Sequence, residues 1–280
     1  MAGTIRVGCS GWSYRGWRGD FYPQGLRQRD ELAYLAERTT AVEVNGSFYS
    51  LQRPTSYAAW RDATPEGHRI CVKGGRYLTH LKRLGDPQQA LANFLASGVL
   101  ALGDRTGPLL WQLPADMAYD GELVGAFLAL LPRTTRAAAR LAQQHDEKLP
   151  ADRALTEVEQ DRPLQHVLEP RHPSFGQSRA LELLREQDVG LVVSDGAGRW
   201  PMFTDTTSDV VYVRLHGHTE LYTSRYGDDA LDRWAARCTG WAAEGRDVYV
   251  FLDNDAQGHA PHDAVRLLAR VSGGVGAARR

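Results

Sequence analysis

The sequence predicts an α/β fold of the (β/α)8 TIM-barrel type, one domain over residues 1–280, on three observations. Eight short apolar segments recur along the chain, amphipathic stretches of helical period separate most of them, and no glycine-rich G-x-G-x-x-G turn follows any segment. Strand alternating with helix implies right-handed βαβ units and a parallel sheet, and eight such strands favour closure into a barrel over an open sheet. A length of 280 residues suits such a barrel, which runs to roughly 250 residues as one domain. The missing glycine-rich turn argues against a dinucleotide-binding sheet.

The predicted strands are 5–9, 41–45, 69–73, 108–113, 165–171, 189–195, 210–216 and 247–254. They are rich in Val, Ile, Leu, Tyr and Phe and end in Gly, Asn, Pro or Asp, as buried parallel strands do. Between them, DELAYLAER, SYAAWRDA, QQALANFLASGVLALG, ELVGAFLALLP, RALELLREQ, DALDRWAARCTGWAAEG and HDAVRLLARV repeat apolar residues every three or four positions, which marks one buried helix face. Asp86 and Ser174 are predicted N-caps, and Gly190 and Gly245 predicted stops. Two intervals break the pattern. Residues 196–209, GAGRWPMFTDTTSD, are too rich in Gly, Pro and Thr for a good helix, so the sixth helix is weak or missing. The interval from Pro132 to Pro163 holds an extra helix within TTRAAARLAQQHDEKL, ahead of the fifth strand, followed by a charged surface excursion. The tail GGVGAARR is predicted to fray.

Composition narrows the function classes. The formal charge, 33 − 34 = −1, gives no global attraction to nucleic acid or to an anionic membrane, so nucleic acid stays possible but is not indicated by charge. Cys9, Cys71 and Cys238 are too few and scattered for a disulfide framework or zinc knuckle. No apolar run approaches the about 20 residues that span a bilayer, and MAGTIRVGCS enters a strand without a signal segment, so a cytoplasmic location and no membrane partner are expected.

Reactive groups of this architecture sit at the C-terminal ends of strands. Alternation of side chains along a strand selects Glu43, Asn45, Lys73, Gln112, Glu169, Arg171, Asp195, Tyr212, Arg214, His216, Asp253 and Asn254, and the loops add Trp12, Tyr14, Trp17, Tyr49, His80 and His172. Any one of these can be a helix cap or loop bridge. As a group they include charges that are costly to bury unpaired, which favours a functional pocket over structural ion pairs. The aromatics Trp12, Tyr14, Trp17, Phe21, Tyr22, Phe48 and Tyr49 form either a packed cover or a stacking platform, and the packed reading is preferred. Two histidine pairs, His216–His218 and His259–His262, resemble metal ligands. Gly217 ends the strand before His218, and Pro261 keeps the second pair off a regular helix, so no metal site is expected.

The strand-end pieces VGCSGWSYRGWRGDFYP, AVEVNGSFYSLQRP, ICVKGGRYLTH, LLWQLP, LEPRHPSF, VYVRLHG and VYVFLDNDAQGHAPHDA span nearly the whole chain in order. On these the chain resembles the YecE-like family, domain of unknown function 72. The resemblance implies a (β/α)8 fold and no established reaction. Its motifs fall on Trp12, Tyr14, Trp17, Glu43, Asn45, Phe48, Tyr49, Lys73, Thr79, His80, Gln112, Glu169, Arg171, His172, Arg214, His216, Gly217, Asp253 and Asn254. The family often reads F-N-N where this chain has Leu252-Asp253-Asn254, which adds an anion; His218 matches no motif.

The leading expectation is an enzyme of hydrolase or isomerase type acting on a small anionic substrate bearing phosphate or carboxylate. Lys73, Arg171 and Arg214 would clamp the anion. Glu43, Glu169, Lys73 and His216 are the candidate catalytic groups, with the two glutamates as acid and base. Glycoside hydrolysis is a special case of paired carboxylates. Two alternatives stay open: metal-dependent phosphodiester chemistry on nucleic acid through Glu43, Glu169, His172, His216 and Asp253, and a non-catalytic binding or accessory protein. The cofactor is unknown. Lys73 and Arg214, taken as rim residues, are each expected to tolerate replacement by Met without loss of fold.

Overall fold

In the computed structural model, which describes residues 2–277, all eight predicted segments carry β-structure. The strands are β1 (Ile5–Ser10), β2 (Ala41–Val44), β3 (Arg69–Lys73), β4 (Thr106–Gln112), β5 (His166–Glu169), β6 (Val189–Leu191), β7 (Val193–Asp195), β8 (Val210–Leu215) and β9 (Asp247–Leu252). The predicted sixth strand is thus broken at Val192 into β6 and β7, which raises the number of strands among the described residues to nine. The α-helices are α1 (Glu31–Ala36), α2 (Gly46–Tyr49), α3 (Pro54–Asp62), α4 (Gln88–Ala96), α5 (Gly121–Leu130), α6 (Thr135–Ala142), α7 (Ser178–Glu186), α8 (Asp228–Ala243) and α9 (His259–Ala277).

The chain forms two compact units, Met1–Glu43 with Gly190–Arg280, and Val44–Val189. In the first, the strands run in the order β2-β1-β9-β8-β7 and every pair with a defined register is parallel. Gly8 opposes Ala41 in the β1–β2 pair, and a Cβ on Gly8 would stand 1.7 Å from the Ala41 carbonyl oxygen, so only glycine lets these strands approach. In the second unit, β3-β4-β5 are likewise parallel, with Gln112 opposite Glu169. Strand interiors are apolar and buried on both faces, as sequences of parallel sheets require.

The predicted helical stretches form helices with local differences. α6 is the predicted extra helix, and no helix forms over 196–209. The stretch 88–103 does not run on as one helix: Gly98, at φ +116°, ends it, and a 3-10 segment follows. Three predicted caps differ. Asp86 is itself left-handed (φ +42°) and gives α4 no side-chain cap. Ser174 lies inside a 3-10 turn, Pro173–Gly176, and accepts from the Tyr119 amide. Gly190 is in a strand, and Asp188 (φ +44°) makes the left-handed stop after α7. Gly245 (φ +92°) follows α8 as predicted. The tail expected to fray is helical as far as Ala277, and 278–280 lie outside the described residues.

Candidate functional site

In the first unit the strand ends assemble a charged group around one guanidinium. Tyr212, Arg214 and His216 alternate along β8 and share a face. Arg214 Nε lies 3.0 Å from Glu43 Oε2, and Nη2 lies 2.8 Å from Glu43 Oε1, a bidentate pair. Nη2 also reaches Ser10 Oγ at 2.9 Å and Asp253 Oδ2 at 3.0 Å. Glu43 accepts further bonds from Tyr212 Oη, at 2.7 Å, and from Ser10 Oγ, its neighbour in the strand register. Arg214 Nη1 stands 3.1 Å from His216 Nε2. A guanidinium only donates, so Nε2 accepts and the ring proton sits on Nδ1, 2.8 Å from Asp253 Oδ2. Trp200 and Tyr222 meet the His216 ring edge-on.

Glu43 and His216 are inaccessible to solvent and the Arg214 side chain is 1% exposed. This corrects the rim placement of Arg214: it is the buried counter-ion of two carboxylates. Asn254 is turned to a different set, donating to Ser224 O and Asp263 Oδ2, both at 3.0 Å. Tyr14 donates to Ser10 O at 2.6 Å. Trp12 holds Tyr22 Oη through its carbonyl. The other N-terminal aromatics pack among themselves: Trp17 and Tyr22 are fully buried, and Phe21 and Tyr22 lie edge-on to Tyr34.

Asp255 was not among the sequence candidates. Burial, and then the charge of Asp253, push its carboxyl up to about 6, while its hydrogen bond with Tyr14 and the charge of His216 pull in the opposite direction. The Tyr14 phenol is raised as well, by burial first and then by Asp255 and Asp253. The Asp253-x-Asp255 spacing is the one signal in the sequence that could have found it.

In the second unit the ends of β4 and β5 hold Glu169. Its Oε2 accepts from Gln112 Nε2 at 2.8 Å, and its Oε1 from Arg171 Nη2 and Nε at 3.1 and 3.3 Å. Glu169 is fully buried and the Arg171 side chain is 15% exposed. Lys73, at the end of β3, is buried with Nζ 4.2 Å above the Phe48 ring. His80 stands on a π-helical turn, Tyr77–Leu81, a local geometry frequent at functional sites. Its ring meets Phe48 edge-on, and Nδ1 is 2.9 Å from Thr79 Oγ1. Burial, then the positive charges of Lys73 and Arg171, lower His80 to about 4, so the ring is neutral at pH 7. His172 Nδ1 bonds Ser174 Oγ at 2.8 Å and caps the following 3-10 turn. Tyr49 is 69% exposed beside Phe48, and Asn45 precedes α2 without capping it.

Each unit thus gathers its own set of the candidates. Glu43, Arg214, His216 and Asp253 form one bonded group in the first unit, with Tyr14 tied to its edge. Gln112, Glu169 and Arg171 form the other, with Lys73 and His80 in electrostatic reach of it. The first is rich in carboxylates; in the second, Lys73 and Arg171 stand with Glu169. Among the described residues no group of three or more His, Cys, Asp or Glu side chains is placed to hold a metal ion, and no helix is long and apolar enough to cross a membrane.

A family model described as protein of unknown function DUF72 matches residues 6–278. A DUF72 family protein of known structure from Thermotoga maritima is 22% identical, with a TM-score of 0.75 over 96% of this chain and 99% of that one. One from Enterococcus faecalis is 16% identical, with a TM-score of 0.73 over 96% of each chain. These likenesses are of fold. No curated protein matches the chain.

Proposed function

Since the chain belongs to the DUF72 family of proteins of unknown function over residues 6–278, we propose that it is a (β/α)8-barrel enzyme of acid–base type whose small polar substrate carries a phosphate or carboxylate. The observation that carries the reading is the group around His80: burial first, and then the charges of Lys73 and Arg171, with Glu169 opposing, keep a half-buried imidazole unprotonated down to about pH 4. An anion arriving beside Lys73 and Arg171 meets a net positive field of low dielectric, where a charge-assisted contact is stronger than in water. Gln112 fixes Glu169, and Glu169 orients the Arg171 fork, so the receptor is held in place before the ligand arrives. Neutral His80 accepts or relays a proton without competing for the anion.

Acid–base capacity exists in the first unit too. Asp255, near half-protonation at pH 6, exchanges protons in the physiological range. In the second unit Lys73 and Arg171 are therefore the proposed anion-binding residues and His80 the proton-transfer group; in the first, Asp255 is a proton-transfer group of its own, with Arg214, Glu43 and His216 as the buried framework beside it.

Calorimetric titration of inorganic phosphate at low salt tests the reading. Lys73→Met is expected to weaken binding more than tenfold, since a hydrogen bond to a charged group contributes roughly 1.5–3 kcal/mol. Equal affinity in the wild type and the variant overturns the anion-site assignment. Turnover of a phosphorylated-metabolite library, followed by 31P NMR, tests the enzymatic part: any activity found must fall in His80→Gln, and no turnover leaves a binding protein.

A further inference from the structure

A second charged cavity lies wholly in the first unit, at the end of β7. It has a volume of about 230 Å³ and is lined by Asp195, Ala197, Met202, His218, Arg233 and Arg237, with Trp234 at its wall. We propose that it is a binding site for a compact anion, a phosphate group or one of like size and charge, separate from the Lys73–Arg171 receptor.

The argument rests on how α8 distributes its charges. Asp228 and Asp232 meet α9, where Arg266 Nη2 reaches Asp228 Oδ1 at 2.7 Å and Arg270 Nε reaches Asp232 Oδ1 at 2.6 Å. The basic pair of α9 is thereby neutralised. Arg233 and Arg237 are also four residues apart on one helix face, where like charges repel, but they line the cavity and no ion pair holds either among the described residues. Asp229, one turn before Arg233, makes no ion pair with it within 4.0 Å. Arg237 keeps its guanidinium 5.1 Å from the Trp234 ring centre, a cation–π placement that orients it without neutralising it.

The cavity's carboxylate does not offset this. Asp195 Oδ2 accepts from Tyr226 Oη at 3.0 Å, and Oδ1 accepts from the Ala197 amide at 3.3 Å, while the His218 ring nitrogen stands 3.9 Å from Oδ2. Two guanidinium groups and an imidazole thus share one carboxylate. The loop closing the cavity carries backbone strain at Ala197, a non-glycine at φ +50°, which Gly198, at φ +76°, follows without strain. The Asp195–Ala197 bond holds that turn, which gives Asp195 a structural task and leaves the arginines for a ligand.

Titration of inorganic phosphate into the Lys73→Met protein, at low ionic strength, isolates this site. One phosphate is expected to bind, with Arg233→Met and Arg237→Met each weakening it at least tenfold and the double variant removing measurable binding. Arg29→Met, an exposed arginine remote in sequence, is the control and is expected to leave affinity unchanged. Both cavity arginines are exposed, so the variants retain the fold, which melting temperatures verify. Undiminished binding in the double variant overturns the proposal, as does a Lys73→Met protein that binds no phosphate or an equal loss in Arg29→Met. Failure of the Lys73–Arg171 reading shows separately, as wild type and Lys73→Met binding alike.

Discussion

Replacing Arg214 with Met removes the only cation bonded to Glu43 among the described residues while leaving a side chain of similar length. All three guanidinium nitrogens of Arg214 are engaged, and Glu43 is fully buried. The variant leaves Glu43 with the hydroxyls of Tyr212 and Ser10, and removes the hydrogen-bond donor to His216 Nε2. Removing one partner of a buried ion pair costs about 3–5 kcal/mol, because the surviving charge stays desolvated. For a chain of this size that is a fall in melting temperature on the order of 10 °C. Urea unfolding followed by circular dichroism measures it. The companion variant Arg214→Met/Glu43→Gln is expected to regain at least half the loss, since it neutralises the fully buried carboxylate and leaves only Asp253, whose side chain is 12% exposed, deprived of the guanidinium. Arg214→Lys, which keeps a charge but not the fork, should fall between wild type and Met. A loss under about 1 kcal/mol for Arg214→Met, or no recovery in the double variant, would refute the view that this residue is the buried counter-ion of the group.

Two further predictions concern protons. His166 and His68 are each lowered from 6.5 to about 4, chiefly by burial, so the unfolded chain binds more protons between those values. Stability is fully present above pH 6.5 and is lost as pH falls toward 4, by up to about 3 kcal/mol per group at 1.36 kcal/mol per pKa unit. Asp255, raised from 3.8 to about 6, acts the other way: its contribution is present below 3.8 and is lost as pH rises through 6. The histidines outweigh it, so melting temperatures should fall on acidification from pH 7 to 4.5; a flat or rising profile contradicts the assignment. In carboxyl 13C NMR, Asp253→Asn should lower the titration midpoint of Asp255 and Tyr14→Phe should raise it, since Asp253 repels the ionised form and Tyr14 stabilises it. The reverse order would count against Asp255 as the titrating group.

Which polar residues matter and what they do were legible to different degrees. Alternation along β8 picked out Tyr212, Arg214 and His216 because side-chain direction in a strand is a local property. Glu169 and Arg171 pair within one strand end, as expected from their closeness in sequence. Burial was not legible. Arg214 reads as a rim clamp in one dimension, yet Glu43, 171 residues away, and Asp253 enclose it. Asp255 was missed because its carboxyl is set first by burial and then by Asp253 and Tyr14 around it, and the Asp253-x-Asp255 spacing carries no information about burial.

The sequence by itself determined the order of strands and helices, the parallel pairing, the absent helix over 196–209 and the extra helix α6, because apolar period, glycine and proline act over a few residues. Only the tertiary structure decided which charges neutralise one another. Arg214 is spent on Glu43 and Asp253, while Arg233 and Arg237 are left facing a cavity although Arg266 and Arg270, in the same spacing, are paired. An ion pair depends on distance and burial between residues brought together by folding, and no local pattern of residues encodes either.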